Sequence, residues 1–182
     1  RLTAGAVMTG TLASDEIISL PAGATLHPLV LPARADAGAS ASFGAYAAVR
    51  NRCLSEASGR DDDHFTPDEL LPLLTSDPYT HRRQWRILLG KRTVGVAILN
   101  ISRDGGGTTA MSAVGVLREE QGRGIGRGVA GHLERLARAE GVRTLQMWTD
   151  HLPSDGAVWE PSTGFGRIPR DHTARFLVAQ GW

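Results

Sequence analysis

Apolar positions divide this chain into helix-like and strand-like stretches. Residues 1–24 are rich in Ala, Gly, Thr and Ser, with one apolar clot, Ile17-Ile18-Ser19-Leu20, and read as a flexible arm, a tag remnant or an edge strand. Leu26-His27-Pro28-Leu29-Val30-Leu31 predicts a first strand, which Pro28 confines to an edge or a strand start. From Ala39 to Leu54, Phe43, Tyr46, Ala47 and Leu54 recur at helical steps and predict a helix with one buried face. Thr66-Pro67-Asp68-Glu69 has the order of a capping box, with proline at the first helical position, and opens a short helix from Pro67 to Leu74. Trp85–Leu89, Val94–Ile101 and Thr108–Leu117 read as strands separated by Gly90-Lys91-Arg92 and Gly105-Gly106-Gly107. Such short connections make them an antiparallel meander. Ile125, Val129, Leu133 and Leu136 share a face of a helix that Gly141 stops. Leu145–Thr149 then follows a helical crossover and is expected to lie parallel to the third meander strand. Residues 150–171 read as a long loop and Thr173–Gln180 as a last helix.

Composition narrows the classes. With 182 residues, 20 basic against 19 acidic side chains and a net charge of +1, the chain suits one domain and carries no field that calls for nucleic acid or an anionic membrane. No stretch approaches the roughly 18 apolar residues of a membrane span. A single cysteine, Cys53, excludes an internal disulfide and a multi-cysteine zinc site, and fits a reducing, cytoplasmic setting; no metal is expected. Lys91 is the only lysine, so the abundance of arginine reflects coding bias rather than function.

The most informative segment is Gln121-Gly122-Arg123-Gly124-Ile125-Gly126. Alternating glycines let the backbone approach a ligand and turn into a helix, whose free amides and positive dipole end suit a pyrophosphate. Arg123 and Arg127 add charge. A dinucleotide fold would use Asp150 as its ribose acid. However, Arg118 to Gln121 separate the glycines from the strand, the spacing is G-x-G-x-G, and the upstream strands are antiparallel. A Gly-Lys-Ser/Thr phosphate loop is absent.

The order of elements, with Val114-x-Val116 before Gln121-x-x-Gly124-x-Gly126 and a final helix ending in Gly181-Trp182, resembles the GNAT superfamily of acyl-CoA-dependent N-acyltransferases over residues 26–182. Leu145–Asp150 and Pro161–Gly166 are similar to one lobe of tandem two-domain members. The resemblance implies an α/β fold with a mixed sheet: an antiparallel meander, then a β-α-β crossover, with a splay between the central strands. It also implies acetyl-CoA as co-substrate. The amides from Gln121 to Gly126, including Gly122 and Arg123, and Arg127 just after, would hold the pyrophosphate. Val114 and Val116 would pair with the pantetheine arm and polarise the thioester. The acceptor would be a small-molecule or peptide amine, and the protein partner would be a second GNAT lobe or a second copy of the chain.

The sequence departs from the family in three respects. Leu177 stands where a tyrosine often protonates the leaving thiolate, the third strand carries no carboxylate, and the two strands that end the family fold do not follow Trp182. The domain, 25–182, is therefore expected to lack its last strands. The open edge of Leu145–Thr149 would be closed by a continuation of the chain, by the N-terminal arm folding back, or by a second subunit. Asp150 and His151 are candidates for an acid/base pair, and Tyr79 for the missing acid, although packing against the core suits Tyr79 better. Trp85, Trp148 and Trp159 are expected in core or lid packing, Met147 and Cys53 in buried packing, and His132 on the exposed side of its helix. Asp61-Asp62-Asp63 reads as a solvated loop, or as a lure for a cationic amine. Transfer of an acetyl group to a primary amine is the reading the residues favour. A non-catalytic acyl-CoA-binding lobe and a nucleotide-binding or structural module remain alternatives.

Overall fold

The computed structural model describes residues 16–34, 41–104, 109–152, 154–160, 162 and 166–182. The triple-glycine turn, most of the N-terminal arm and the center of the Pro161–Gly166 stretch lie outside these residues. A six-stranded sheet runs in the order β1 (Ile18–Ser19), β2 (Ala24–Pro28), β3 (Thr80–Leu89), β4 (Arg92–Ser102), β5 (Thr109–Val116) and β6 (Thr144–Met147). All neighbors are antiparallel except β5 and β6, which are parallel. Helices α1 (Ala41–Ser58) and α2 (Pro67–Leu74) join β2 to β3, and α3 (Ile125–Ala139) crosses from β5 to β6. β7 (Val158–Trp159) and β8 (Ile168–Pro169) pair antiparallel ahead of α4 (His172–Ala179). This is the mixed α/β sheet, antiparallel meander and β-α-β crossover, that the resemblance implied.

Local chemistry accounts for several of these limits. Thr66 accepts the Glu69 amide and the Glu69 carboxylate takes the Thr66 amide, so the capping box forms as its sequence predicts. Pro28 ends β2 where β1 no longer pairs with it, since β1 reaches only Thr25 and Leu26. A missing N–H costs nothing on that free side. A bulge leaves Val94 unmatched between the Ile87–Gly95 and Leu88–Thr93 pairs. The extra residue turns Val94 to the same side as Ala97 and Leu99.

Two cores flank the sheet. Leu26, Trp85, Val94, Ala97 and Leu99 pack with Ile125, Val129 and Leu133 of α3. On the other side Val96 and Leu29 pack with Phe43 and Tyr46 of α1 and Leu70 and Leu74 of α2. Burial pushes the Tyr46 phenol far above its ordinary pKa, opposed by the nearby Arg50 charge.

Several expectations are corrected. Within the Ile17–Leu20 clot, Ile18–Ser19 forms an edge strand on β2, one of the readings of that stretch, but at the opposite side of the sheet from β6, so this part of the arm does not cover the β6 edge. The 150–171 stretch holds a small antiparallel pairing of Val158–Trp159 with Ile168–Pro169, and the Arg170 guanidinium covers Trp159, 5.3 Å from its ring centroid. Trp148 is 78% exposed rather than packed, as the side chain follows the last residue of a short edge strand. Met147 is only half-buried. His132 is half-buried, with its ring edge-on to Trp85 at 6.3 Å. Burial, then the Arg135 and Arg83 charges, push its pKa down, opposed by Glu16.

Candidate active site

The strand-to-helix junction is built on two residues with left-handed backbone. Gly122 (φ 75°) and Gly124 (φ 79°) flank Arg123, and Gly124 is the N-cap of α3. L-residues adopt this conformation only at a cost, so glycine is what the turn requires. A glycine cap also offers no side chain to the first helical amides. Among the described residues, no acceptor takes the amides of Gly122 through Arg127. These free donors at the positive end of a 15-residue helix face a cleft of about 460 Å³. Val114, Val116, Gln121, Gly122, Gly124, Gly126 and Arg127 all line it, as does Phe176 of α4, whose ring packs beside Gly126.

The arginines differ in role. Arg123 is bound to Glu120, which also binds Arg92, and Glu120 is itself buried. The charge expected of Arg123 is thus largely spent on this carboxylate. Arg127 has no carboxylate within ion-pair reach among the described residues and is exposed at the cleft.

The splay follows from the hydrogen-bond alternation of β4 and β5. The Leu117 amide donates to the Val94 carbonyl at 2.9 Å, which makes Leu117–Val94 a hydrogen-bonded pair. Val116–Gly95 and Val114–Ala97 are then non-hydrogen-bonded pairs, with N–H and C=O directed away from β4. That side belongs to β6, but β6 reaches only as far as Ser112. The polar groups of Val114 and Val116 therefore open into the gap between the parting strands. The Gln121 side-chain amide donates to the Val116 carbonyl at 2.8 Å, tying the glycine loop to the splay.

A second cleft, of about 620 Å³, opens on the α1 side. Cys53, Glu56, Arg118, Leu152, Ser154 and Asp171 line it, and it shares Gln121, Gly122, His172 and Thr173 with the first. The two clefts therefore meet at the N-terminus of α4. Cys53 is half-buried against Gly115, and burial, then the Glu56 charge, push its thiol up to about 12, which leaves it without thiolate character.

His151 and Asp150 do not form a pair. Asp150 points into solvent, whereas His151 Nδ1 lies 2.7 Å from Asp171 Oδ2 and Nε2 lies 2.9 Å from Thr149 Oγ1. Asp171 is also the N-cap of α4, its Oδ1 accepting the Ala174 amide at 2.8 Å. Burial raises the Asp171 carboxyl, but the Ala174 amide, the His151 ring and the Thr173 amide together hold it below the usual range. With an ionised carboxylate at Nδ1, that nitrogen carries the proton and Nε2 presents its lone pair, here to the Thr149 hydroxyl. Sequence reading missed Asp171, although Asp171-His172-Thr173-Ala174 ahead of an apolar helix is a readable capping signal.

Tyr79 is at the other end of the sheet. It precedes β3, and the register Trp85–Ala97–Val114 places it about 20 Å along the strand from the splay. It is 66% exposed, so it neither reaches the site nor packs on the core. Leu177 is half-buried on α4 and brings no hydroxyl. Asp61 accepts from Ser55 at the solvent-exposed end of α1.

A mixed sheet parted beside a glycine loop that opens a helix is the architecture of an acyl-CoA-dependent N-acetyltransferase. The chain belongs to the acetyltransferase (GNAT) family, whose model matches residues 50–158. Such membership brings transfer of an acyl group from acyl-CoA to amines in general. Among solved structures the chain is similar in fold to a tandem GNAT protein from the clavulanic acid biosynthesis pathway, with a TM-score of 0.59 and 22% identity. That match covers 87% of this chain and 43% of the tandem protein. It is also similar to AAC(6')-Iy in complex with a bisubstrate analog, with a TM-score of 0.53, 11% identity and coverage of 87% and 88%. The GNAT domain of S. lividans PAT gives 0.52, 16%, 75% and 78%. No curated protein compared with the chain matches it.

Proposed function

We propose that this protein transfers the acetyl group of acetyl-CoA to a primary amine by direct attack on the thioester. The observation that carries the reading is the pair of valines whose backbone polar groups face the splay beside six unclaimed amides. The loop amides and Arg127 hold the pyrophosphate, and Val114 and Val116 hold the pantetheine arm in the gap. The neutral amine, entering from the α1-side cleft, attacks the carbonyl carbon. The negative charge that develops on the carbonyl oxygen is stabilised by a backbone N–H in the splay. The C–S bond then breaks and the thiolate leaves. A thiol near the ~8.5 of cysteine leaves without a strong acid, which suits a site with Leu177 on α4. His151, held by Asp171, takes the proton that the amine sheds, directly or through water.

The absence of a nearby tyrosine and of a carboxylate on β5 supports a second reading, a non-catalytic acyl-CoA-binding lobe that works beside another GNAT lobe. Mixing the protein with acetyl-CoA and an amine panel separates the two. Release of coenzyme thiol with one or more amines supports the transferase. Tight binding by calorimetry with no release supports the lobe, and no binding overturns both.

A further inference from the structure

We propose that the α1-side cleft selects acceptors that carry an anionic group, a carboxylate in the first instance, beside the reacting amine, and that Arg118 reads that group. The inference rests on the transferase reading and deepens it by naming the acceptor class.

The argument begins with how the arginines of this region are used. Arg52 is held by Glu56 and Glu119, and Arg92 and Arg123 by Glu120. Arg118 lies among them yet has no carboxylate within ion-pair distance among the described residues, and it lines the cleft. Its position is set by main-chain contacts. One guanidinium nitrogen donates to the Glu56 carbonyl at 2.7 Å, and the Arg118 amide donates to Glu56 Oε2 at 2.8 Å. The first bond uses one of five donors, which leaves a planar fork for a bidentate anion. Glu56 is occupied by Arg52 and by the Arg118 amide, so it does not neutralise the fork.

The same cleft contains the Asp171 carboxylate, which is paired with His151. An acceptor whose carboxylate sits on Arg118 meets complementary charge there, and its amine reaches toward the side of the cleft where Asp171 holds His151. At about 620 Å³ the cleft suits an amino acid or a small derivative of one. The Arg118 fork could instead serve a phosphate of the coenzyme, and the experiment separates these sources.

The test is steady-state kinetics on matched acceptor pairs, glycine against glycinamide and β-alanine against its amide, with wild type, Arg118→Gln and Arg118→Lys. Calorimetry of acetyl-CoA and of N-acetylglycine runs alongside. A charge-assisted hydrogen bond supports a preference of roughly ten- to a hundredfold in kcat/KM for the carboxylated member. Arg118→Gln is expected to erase it, mainly through KM, and Arg118→Lys to restore part of it. Acetyl-CoA affinity is expected to stay within about twofold of wild type. A preference for the uncharged member, or one that survives Arg118→Gln, overturns the inference. So does a tenfold loss of acetyl-CoA affinity, which would give the fork to the coenzyme. If no amine turns over although acetyl-CoA binds, the transferase reading fails. N-acetylglycine binding to the coenzyme-loaded protein then decides the anion site: loss in Arg118→Gln supports it, and absence of binding to wild type overturns it.

Discussion

Asp171 holds the His151 ring at 2.7 Å with one carboxylate oxygen and caps α4 through the Ala174 amide with the other. A residue of the α1-side cleft thus sets both the tautomer of a histidine and the start of a helix that lines both clefts.

Asp171→Asn separates these duties. Asparagine is as good an N-cap, so α4 persists. With the side-chain oxygen on the Ala174 amide, the NH2 group faces Nδ1 and forces the ring proton to Nε2. Turnover measured by thiol release should fall roughly ten- to a hundredfold, with the circular dichroism spectrum unchanged. His151→Gln should fall to a similar level, and the double variant no further.

Asp171 also makes a pH-dependent contribution to stability. Its folded pKa is depressed, so its stabilisation is complete above the unfolded value of about 3.9 and is lost as pH falls through the lower folded value. Urea titrations below pH 4 should show a shallower acid loss in Asp171→Asn than in wild type.

His132 acts with the same sign near neutrality. Because its folded pKa is depressed, the unfolded chain binds more protons below about 6.5, and stability falls as pH drops from there toward the folded value. His81, also depressed by burial and by Arg103 and Arg83, contributes in parallel. His132→Gln should remove part of the stability difference between pH 7.5 and pH 5, measured by urea unfolding.

Gly115 marks where α1 meets β5. A Cβ there would lie 3.0 Å from Cys53 Cβ and 3.2 Å from its sulfur. Gly115→Ala should cost about 1–2 kcal/mol by overpacking, and Cys53→Ala in the same chain should return part of it, as a double-mutant cycle will read. Gly95→Ala should cost more, about 2–3 kcal/mol, since its Cβ would meet the Gly115 carbonyl oxygen at 2.5 Å and the backbone cannot step aside.

Gly124→Glu places a carboxylate at the N-cap of α3, among the unclaimed amides. Acetyl-CoA binding by calorimetry should weaken by at least about a hundredfold. Gly124→Ala shares the left-handed strain of about 1–2 kcal/mol and should weaken binding far less, which separates charge from backbone cost.

Local pattern determined the capping box at Thr66, the antiparallel meander, the amphipathic crossover helix and the glycine turn, because each is decided by neighbors in sequence. The resemblance to the GNAT superfamily also pointed to Val114 and Val116. That their backbone groups face an unpaired gap depended on where β6 stops, which only the register shows. The partner of His151 was likewise hidden: the adjacent Asp150 faces solvent, and the carboxylate that reaches the ring lies twenty residues away, brought in by the chain's return into α4. Tyr79 fell to the far end of the sheet, and Arg118 became distinctive only once the neighboring arginines had found their carboxylates. Chain-local geometry follows from short-range sterics and hydrogen bonding, whereas the pairing of charges and the fate of a strand edge depend on which distant segments pack together.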